Sequence, residues 1–591
     1  MERRVLFAIF LSFLVLYAYQ ALVVKPVPKQ PAPAASGASP TANGTAAATK
    51  APAAAQAPLQ PESVPPAIPR EATPIVGDSV DRDVRIETRD VIAVFTNRGA
   101  RLKSWRLKHY RDQQHQPQEL IENRLAGQPL PFTLRTGDEA LNATLNGALY
   151  SMSGAPVEAA ITSPVDLRFE YQDSSGVHAV KQFHLSADAY LVEFRSAVTD
   201  HDRLVKAAVV WGPAVGDFAE TTRGAQTSGA LLFDNNGKVQ RLSVKDLAKQ
   251  PVYDGDFRLA GVDDNYFLTA ALTPGSGRVS YQSVAVPPSP PSKDPARELV
   301  SYAIEPARDD APLKFFVGPK DFDVLSTLGP EYTRAINFGV FSVIVVPLLK
   351  SLKWVNGFIG NYGWSIVVLT ILINIVMFPL QHKSIVSMRK MQEIQPQIKA
   401  IQDRYAKYSA TDPERQKMNQ EMMALYRERG VNPASGCVPM LLTLPVLYAM
   451  WAMLTTAIEL RGAPFVGWIH DLTARDPYYV TPVLMGVTQF WQQKITPAAG
   501  ADPAQQRMMM IMPLVMTVMF LWLPAGALIY YTVGGVLRIG QQYMTNYLIG
   551  PPNVRVVRPP AERRLKRVGA GKTEAADTNA SGGDTNSKGG A

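Results

Sequence analysis

The chain has 591 residues, a formal net charge of +9 and a single cysteine, Cys437. That length exceeds one hydrophobic core, and a lone thiol excludes an internal disulfide framework as well as a Cys/His metal cluster. Mean hydropathy is near zero, but it averages apolar runs at the amino-terminus and beyond residue 336 with a polar 25–330, which predicts a membrane protein carrying a globular insert.

Residues 1–24 open with Arg3 and Arg4 and run apolar from Val5 to Val24, enough to cross a bilayer as a helix. Tyr17, Tyr19 and Gln20 crowd the place where a signal-peptide cleavage site would sit. An uncleaved anchor with a cytoplasmic amino-terminus is therefore expected over a cleaved signal. Residues 25–80 are rich in Pro, Ala, Gly and Ser and read as an extended periplasmic linker.

From Val84-Arg85-Ile86-Glu87 onward the pattern alternates, and strand signals recur at 92–95, 167–171, 180–185, 190–198, 207–211, 266–272, 279–286 and 299–304. Many short strands punctuated by Gly and Asn predict an all-β sandwich over 81–330. Its histidines, His109, His115, His178, His184 and His201, lack ligand spacing and read as ordinary surface or core residues. The preceding linker, together with strands able to bury their own core, predicts a domain separable from the activity of the rest.

The apolar run 335–349 is short, contains Pro347 and is followed by Lys350 and Lys353. If it crossed the membrane, the basic loop 381–436 would lie outside, against the positive-inside tendency. The region 331–361 is therefore expected to form a helix in the outer interface. Five core spans follow within 362–548: 362–380 inward, 437–458 outward, 478–493 inward, 508–523 outward and 525–543 inward. With the anchor this gives six spans, both termini in the cytoplasm, a periplasmic domain, and a basic, disordered tail at 549–591. Because the basic residues flank apolar spans, orientation explains them and no specific nucleic-acid sequence is implied as a partner.

Within the loop 381–436, Ile385, Met388, Met391, Ile394, Ile398, Ile401, Tyr405 and Tyr408 recur at steps of three and four, predicting an amphipathic helix with a kink at Pro396. Thr411-Asp412-Pro413-Glu414 opens a second helix carrying Met418, Met422 and Leu425, and Gly430 with Asn432-Pro433 stops it. The pair forms a cytoplasmic helical hairpin, read as a docking or gating element against the plainer reading of a solvated connector.

Polar residues inside spans are costly and so informative. Thr370 and Asn374 share one face of their span, as do Tyr531 and Arg538 of the last. Helical rise puts Asn374 and Arg538 both about 18–20 Å below the outer surface. An arginine facing lipid at that depth costs about 3–10 kcal/mol, and no acidic residue lies deep in any span to pair with it. This points to a hydrated cavity open to the cytoplasm; the alternative is an arginine that snorkels to headgroups. Met440, Met450 and Met453, and Met508, Met509, Met510, Met512, Met516 and Met519, supply flexible thioethers suited to varied apolar sequences, or to ordinary packing. Catalytic signatures such as His-Glu-x-x-His, Gly-x-Ser-x-Gly or a phosphate loop are missing from the sequence, so the work expected is binding and passage without a chemical step.

Several runs resemble the YidC family of membrane protein insertases. They include Gly360-Asn361-Tyr362-Gly363-Trp364-Ser365-Ile366, Met377-Phe378-Pro379-Leu380, Gln420-Glu421-Met422-Met423-Ala424-Leu425-Tyr426 and Trp468-Ile469-His470-Asp471-Leu472. Asp476-Pro477-Tyr478-Tyr479, Leu484-Met485-Gly486-Val487-Thr488 and Phe520-Leu521-Trp522-Leu523-Pro524-Ala525-Gly526 with Tyr530-Tyr531 belong to the same resemblance. Together these runs span about 354–545; the exported domain matches more loosely, through Phe316-Val317-Gly318-Pro319 at its end.

The resemblance implies an α-helical membrane bundle with a supersandwich-like β-domain of sugar-binding type, without sugar chemistry. It also implies an inner-membrane insertase and chaperone that passes nascent membrane proteins from a cytoplasm-facing polar groove into the lipid bilayer, alone or with the Sec translocon, and without a cofactor. The hairpin and basic tail would meet the ribosome. Thr370 and Tyr531 match family groove positions, while the family's groove arginine falls on Asn374 and the positive charge stands at Arg538 on the opposite wall. Met440, Leu444, Pro445, Met508, Met512 and Met516 would contact the apolar segment. A small-molecule transporter is the competing class, but the core spans show no paired broken helices. A structural scaffold would leave the buried arginine without a purpose.

Overall fold

A computed structural model describes residues 72–549 apart from 113, 124, 126, 155–157, 162–163, 188–189, 214, 216–226, 287–296, 308–310, 409–411, 431–437 and 496–502. The expected anchor, nearly all of the linker, the tail beyond 549 and Cys437 lie outside the described residues.

The amino-terminal part is β-rich. The longer sheet has 14 strands, its main path running Pro74–Val76, Val165–Asp173, Val177–Leu185, Leu191–Asp200, Leu313–Pro319, Phe267–Val286, Val252–Asp263, Gly229–Asp234 and Val239–Leu242. A five-stranded sheet runs Pro117–Glu119, Arg101–Arg111, Val91–Thr96, Asp83–Glu87, Glu158–Ala160. Alternation explains the faces: along Val165–Asp173, Leu167, Phe169 and Tyr171 point inward between more exposed neighbours, as period-two strands require. Both sheets feed one core, in which Phe95 and Phe132 lie 4.9 and 5.0 Å from Phe183, and Phe132 also meets Trp211 and Phe315. Lys181 is wholly buried, its ammonium 5.8 Å from the centre of the Tyr150 ring and donating to the carbonyls of Gly99 at 2.6 Å and Phe132 at 2.7 Å; burial pulls its pKa well below the ordinary lysine value.

Two strands expected at 266–272 and 279–286 are one strand, Phe267–Val286. The intervening Pro274-Gly275-Ser276-Gly277 reads as a turn, yet Thr273 and Gly275 take positive φ and a register shift opposite Phe257 and Leu259 absorbs the irregularity. The strand therefore bulges and continues. Helices α1 (Glu139–Gly147) and α2 (Val244–Lys249) cover strand ends, and α3 (Phe322–Leu328) leads out of the domain.

The remainder is helical: α4 (Ser342–Ile359), α5 (Tyr362–Arg404), α6 (Pro413–Glu428), α7 (Val438–Thr456), α8 (Val480–Ile495), α9 (Pro503–Met519) and α10 (Ala525–Ile549). Among the described residues two helical stretches are long and apolar enough to cross a membrane, Gly339–Ile359 and Tyr362–Met391; Leu444–Thr456 and Met510–Trp522 are shorter apolar helices. The loop expected to begin at 381 does not interrupt the backbone, since α5 continues through Pro379 and Pro396 for 43 residues. Its far half packs against α6 through Ile394, Ile398, Met391, Met422, Leu425 and Tyr426, forming the hairpin. Asp412 caps α6, accepting the Glu414 backbone N–H at 3.0 Å, with Pro413 in the first turn.

Candidate functional site

α10 packs between α5 and α8, and a glycine pair makes this possible. A Cβ at Gly534 would lie 3.8 Å from the Thr370 methyl and 3.4 Å from an Arg538 guanidinium nitrogen, whereas one at Gly535 would meet Thr488 of α8 at 3.5 Å. Gly534 thus leaves the groove into which the arginine folds, against α5 at Thr370. Arg538 is half-buried and, among the described residues, makes no hydrogen bond or ion pair.

Its neighbours are Tyr530 and Tyr531, within electrostatic range. Tyr531 stacks on Phe520, with centroids 5.7 Å apart. Thr370 is fully buried and its hydroxyl donates to the Ile366 carbonyl at 2.6 Å; Asn374, half-buried one turn on, donates to the Thr370 carbonyl at 2.8 Å. Both side chains therefore spend a donor on their own helix. Depth made Asn374 and Arg538 neighbours, but Asn374 makes no hydrogen bond to Arg538, and it is Thr370, one turn earlier, that lies beside the guanidinium across Gly534.

Sequence reading missed the rest of this face. Gln541, Gln542, Thr545 and Asn546 follow Arg538 at helical steps of three, four, seven and eight, on one side of α10. Gln541, Gln542 and Thr545 are buried. Arg389 of α5 donates to Asn546, and Gln542 donates to the same oxygen at 3.3 Å. The Gln541 amide nitrogen, the Thr545 hydroxyl and Nδ1 of His382 have no hydrogen-bond partner among the described residues. The signal was available: a polar i, i+3, i+4, i+7 row running on from the arginine.

The apolar candidates divide. Leu444 and Met512 are exposed, Pro445 and Met516 half-buried, and the side chains of Met440 and Met508 lie outside the described residues. Met450 and Met453 are fully buried in the core shared with α4, which fits the packing alternative left open for them: the carboxy-terminal half of α7 is packing.

Two family models match adjoining parts of the chain, "YidC periplasmic domain" over residues 83–351 and "60Kd inner membrane protein" over 354–550. A membrane protein insertase from Geotalea daltonii is 33% identical over 564 residues, 92% of this chain and 99% of the relative. This chain belongs to the YidC family. A second YidC relative, from Citrifermentans bemidjiense, is 34% identical over 560 residues, again covering 92% of this chain and 99% of its own length. Among solved structures, an active YidC insertase with its first transmembrane domain resolved is 16% identical, with a TM-score of 0.34, covering 80% of this chain and 95% of that one. A galactose mutarotase-like protein from Lactobacillus casei ATCC 334 is 12% identical, with a TM-score of 0.22, covering 40% of this chain and 99% of its own. Scores of that size establish no shared fold. The function that goes with YidC membership is membrane protein insertion, in the inner membrane.

Proposed function

We propose that this chain inserts nascent membrane proteins through a polar groove between α5 and α10 that opens to the cytoplasm. The observation carrying this reading is the buried polar row from Arg538 to Asn546. Buried polar groups are normally hydrogen-bonded, and leaving one unpaired costs about 1–3 kcal/mol. A row holding two such groups, the Gln541 amide and the Thr545 hydroxyl, beside a cation suits a wet passage that takes water or the peptide groups of a substrate. Thr370, Asn374, Tyr531 and Arg538 belong to it, while Met440, Leu444, Pro445, Met508, Met512 and Met516 face the apolar segment as it leaves for lipid.

The arrangement in the membrane is an anchor, 1–24, a linker, 25–80, a periplasmic β-sandwich of supersandwich type, 81–330, and an interfacial helix within 331–361. A five-span core at 362–548 and a cytoplasmic tail at 549–591 complete it. Supporting the interfacial reading, Lys353 near the end of α4 reaches Asp323 of α3 at 2.6 Å, on the side of the β-rich domain. Val345, Leu349, Leu352 and Val355 form the buried face of α4 while Val343, Trp354 and Phe358 point outward. Within the described residues helices α7, α8 and α9 have 19, 16 and 17 residues, about 24–29 Å at 1.5 Å per residue, near the lower limit for the roughly 30 Å of hydrocarbon, which fits a bilayer thinned around the groove. The hairpin and tail meet the ribosome, and the Sec translocon is a second partner.

Orientation is tested with one cysteine at Lys407 in a Cys437→Ser background. An impermeant maleimide leaves it unlabelled in intact cells and labels it after permeabilisation; ready labelling of intact cells reverses the topology. The path is tested with photo-crosslinkers at Met512, Leu444 and Trp354. Adducts with the apolar segment of a stalled nascent membrane protein form at the first two and at least fivefold less at Trp354. Equal yields at all three would remove the assigned path.

A further inference from the structure

The β-rich domain meets the helical core at the outer end of α7, through a braced turn. Between two long strands, Asp264 accepts the backbone N–H groups of Tyr266 and Phe267, each at 2.8 Å. Lys320 ties both flanks, its buried ammonium donating to Asp263 at 2.9 Å and its backbone N–H to the Tyr266 carbonyl at 2.7 Å. The turn so held presents Asn265 to α7, where its Nδ2 donates to the Thr455 carbonyl at 2.9 Å. The last four carbonyls of a helix have no partner within it. The domain therefore supplies a cap from 190 residues earlier in the chain.

Two more ties lie just beyond. Arg461 donates to Gln118 at 2.9 Å, and its guanidinium sits 5.1 Å from the centre of the Phe267 ring and 5.7 Å from that of Tyr266, a cation–π arrangement. Glu459 accepts from Lys353 at 3.3 Å, and the same ammonium reaches Asp323. Burial raises the Glu459 carboxyl above its ordinary pKa.

α7 is unevenly held as a result. Ala449, Met450, Ala452, Met453 and Leu454 are buried, whereas Leu444 and Tyr448 are exposed. Pro445 lies inside the helix near that boundary and removes a backbone hydrogen bond there.

We infer that Asn265 and Arg461 are positioning residues for insertion: they clamp the outer half of α7 to the β-rich domain, so that yielding to a substrate is confined to the inner half from Pro445 toward the cytoplasm. The functional part of this inference rests on α7 being a wall of the substrate path; the clamp itself does not. The test uses the full chain in lipid nanodiscs, comparing the parent, Asn265→Ala with Arg461→Ala, and Asn265→Ala with Arg461→Lys, by hydrogen exchange of amides 452–460 and by reconstituted insertion. In the double alanine variant those amides exchange at least tenfold faster, strands Phe267–Val286 and Leu313–Pro319 keep their protection, and insertion falls two- to fourfold. Lysine at 461 restores part of both losses by returning a cation over the Phe267 ring. If the double variant loosens the strands as well, Gln118→Ala, which removes an acceptor of Arg461 and a bond to the Glu119 carbonyl but leaves Asn265 and Arg461 in place, carries the same expectation at about threefold in exchange. Unchanged exchange at 452–460 overturns the clamp, and faster exchange with parental insertion overturns the positioning role. Neither result depends on how Arg538 variants behave.

Discussion

Arg538→Ala lowers insertion of substrates with acidic exported tails about tenfold, and of those with neutral tails less than threefold. Two unit charges about 8 Å apart at an effective dielectric near 20 interact by about 2 kcal/mol, so a tenfold loss, about 1.4 kcal/mol, needs only part of that attraction. The guanidinium lies over Gly534 beside Thr370, which is why the loss is assigned to the proposed passage. Asn374 is one turn further along the facing wall, and Asn374→Arg in the Arg538→Ala background restores much of the lost insertion of acidic tails. Reconstituted insertion by both single variants and the double, at matched protein levels, is the measurement. Equal activity of Arg538→Ala and the parent on both substrate types would mean an arginine that merely snorkels.

Asp263→Ala destabilises the β-rich domain by about 3–5 kcal/mol, because it strands the Lys320 ammonium in a site that is 1% exposed without its counter-charge. Replacing both partners by apolar residues, Asp263→Leu with Lys320→Met, returns stability to within about 1–2 kcal/mol of the parent, since the desolvation cost disappears with the charges. Hydrogen exchange along Val252–Asp263, Phe267–Val286 and Leu313–Pro319 in the full chain reads both variants. Parental protection in Asp263→Ala, or equal losses in the single and double variants, would contradict the uncompensated-charge argument.

Sequence alone reached the strands of the β-rich part wherever alternation was strong, as along Val177–Leu185. It failed where chain chemistry and chain geometry part company. Pro274-Gly275-Ser276-Gly277 has turn composition but sits in a bulged strand, and polarity changes at residue 381 while the helix does not end. Of the residues proposed for the groove, Arg538 was legible in the sequence because a cation in an expected span demands a reason. The back-bonding of Thr370 and Asn374 was not, since a hydroxyl or amide at a helical position can turn outward or to its own backbone. The linker suggested a domain separable from the activity of the rest, and no periodicity could reveal Asn265 reaching Thr455 or Arg461 reaching Gln118. Such contacts depend on how two separately patterned regions dock.

The uninterrupted α5 has a mechanical consequence. At 1.5 Å per residue its 43 residues make a rod of about 64 Å, with Asn374 about 18 Å from the Tyr362 end. That end is pinned: a Cβ at Gly363 would overlap the Phe465 ring, and Asn361 donates to the Phe465 carbonyl at 3.3 Å. A rod fixed at one end acts as a lever with unequal arms, so a sideways push of about 10 Å at the hairpin tip moves Asn374 by about 3 Å. Pro379 and Pro396 each delete a backbone bond along the long arm, making it a spring whose bending takes up part of that stroke. Force applied at the hairpin, tens of ångströms away along the rod, thereby becomes a small displacement at Thr370 and Asn374.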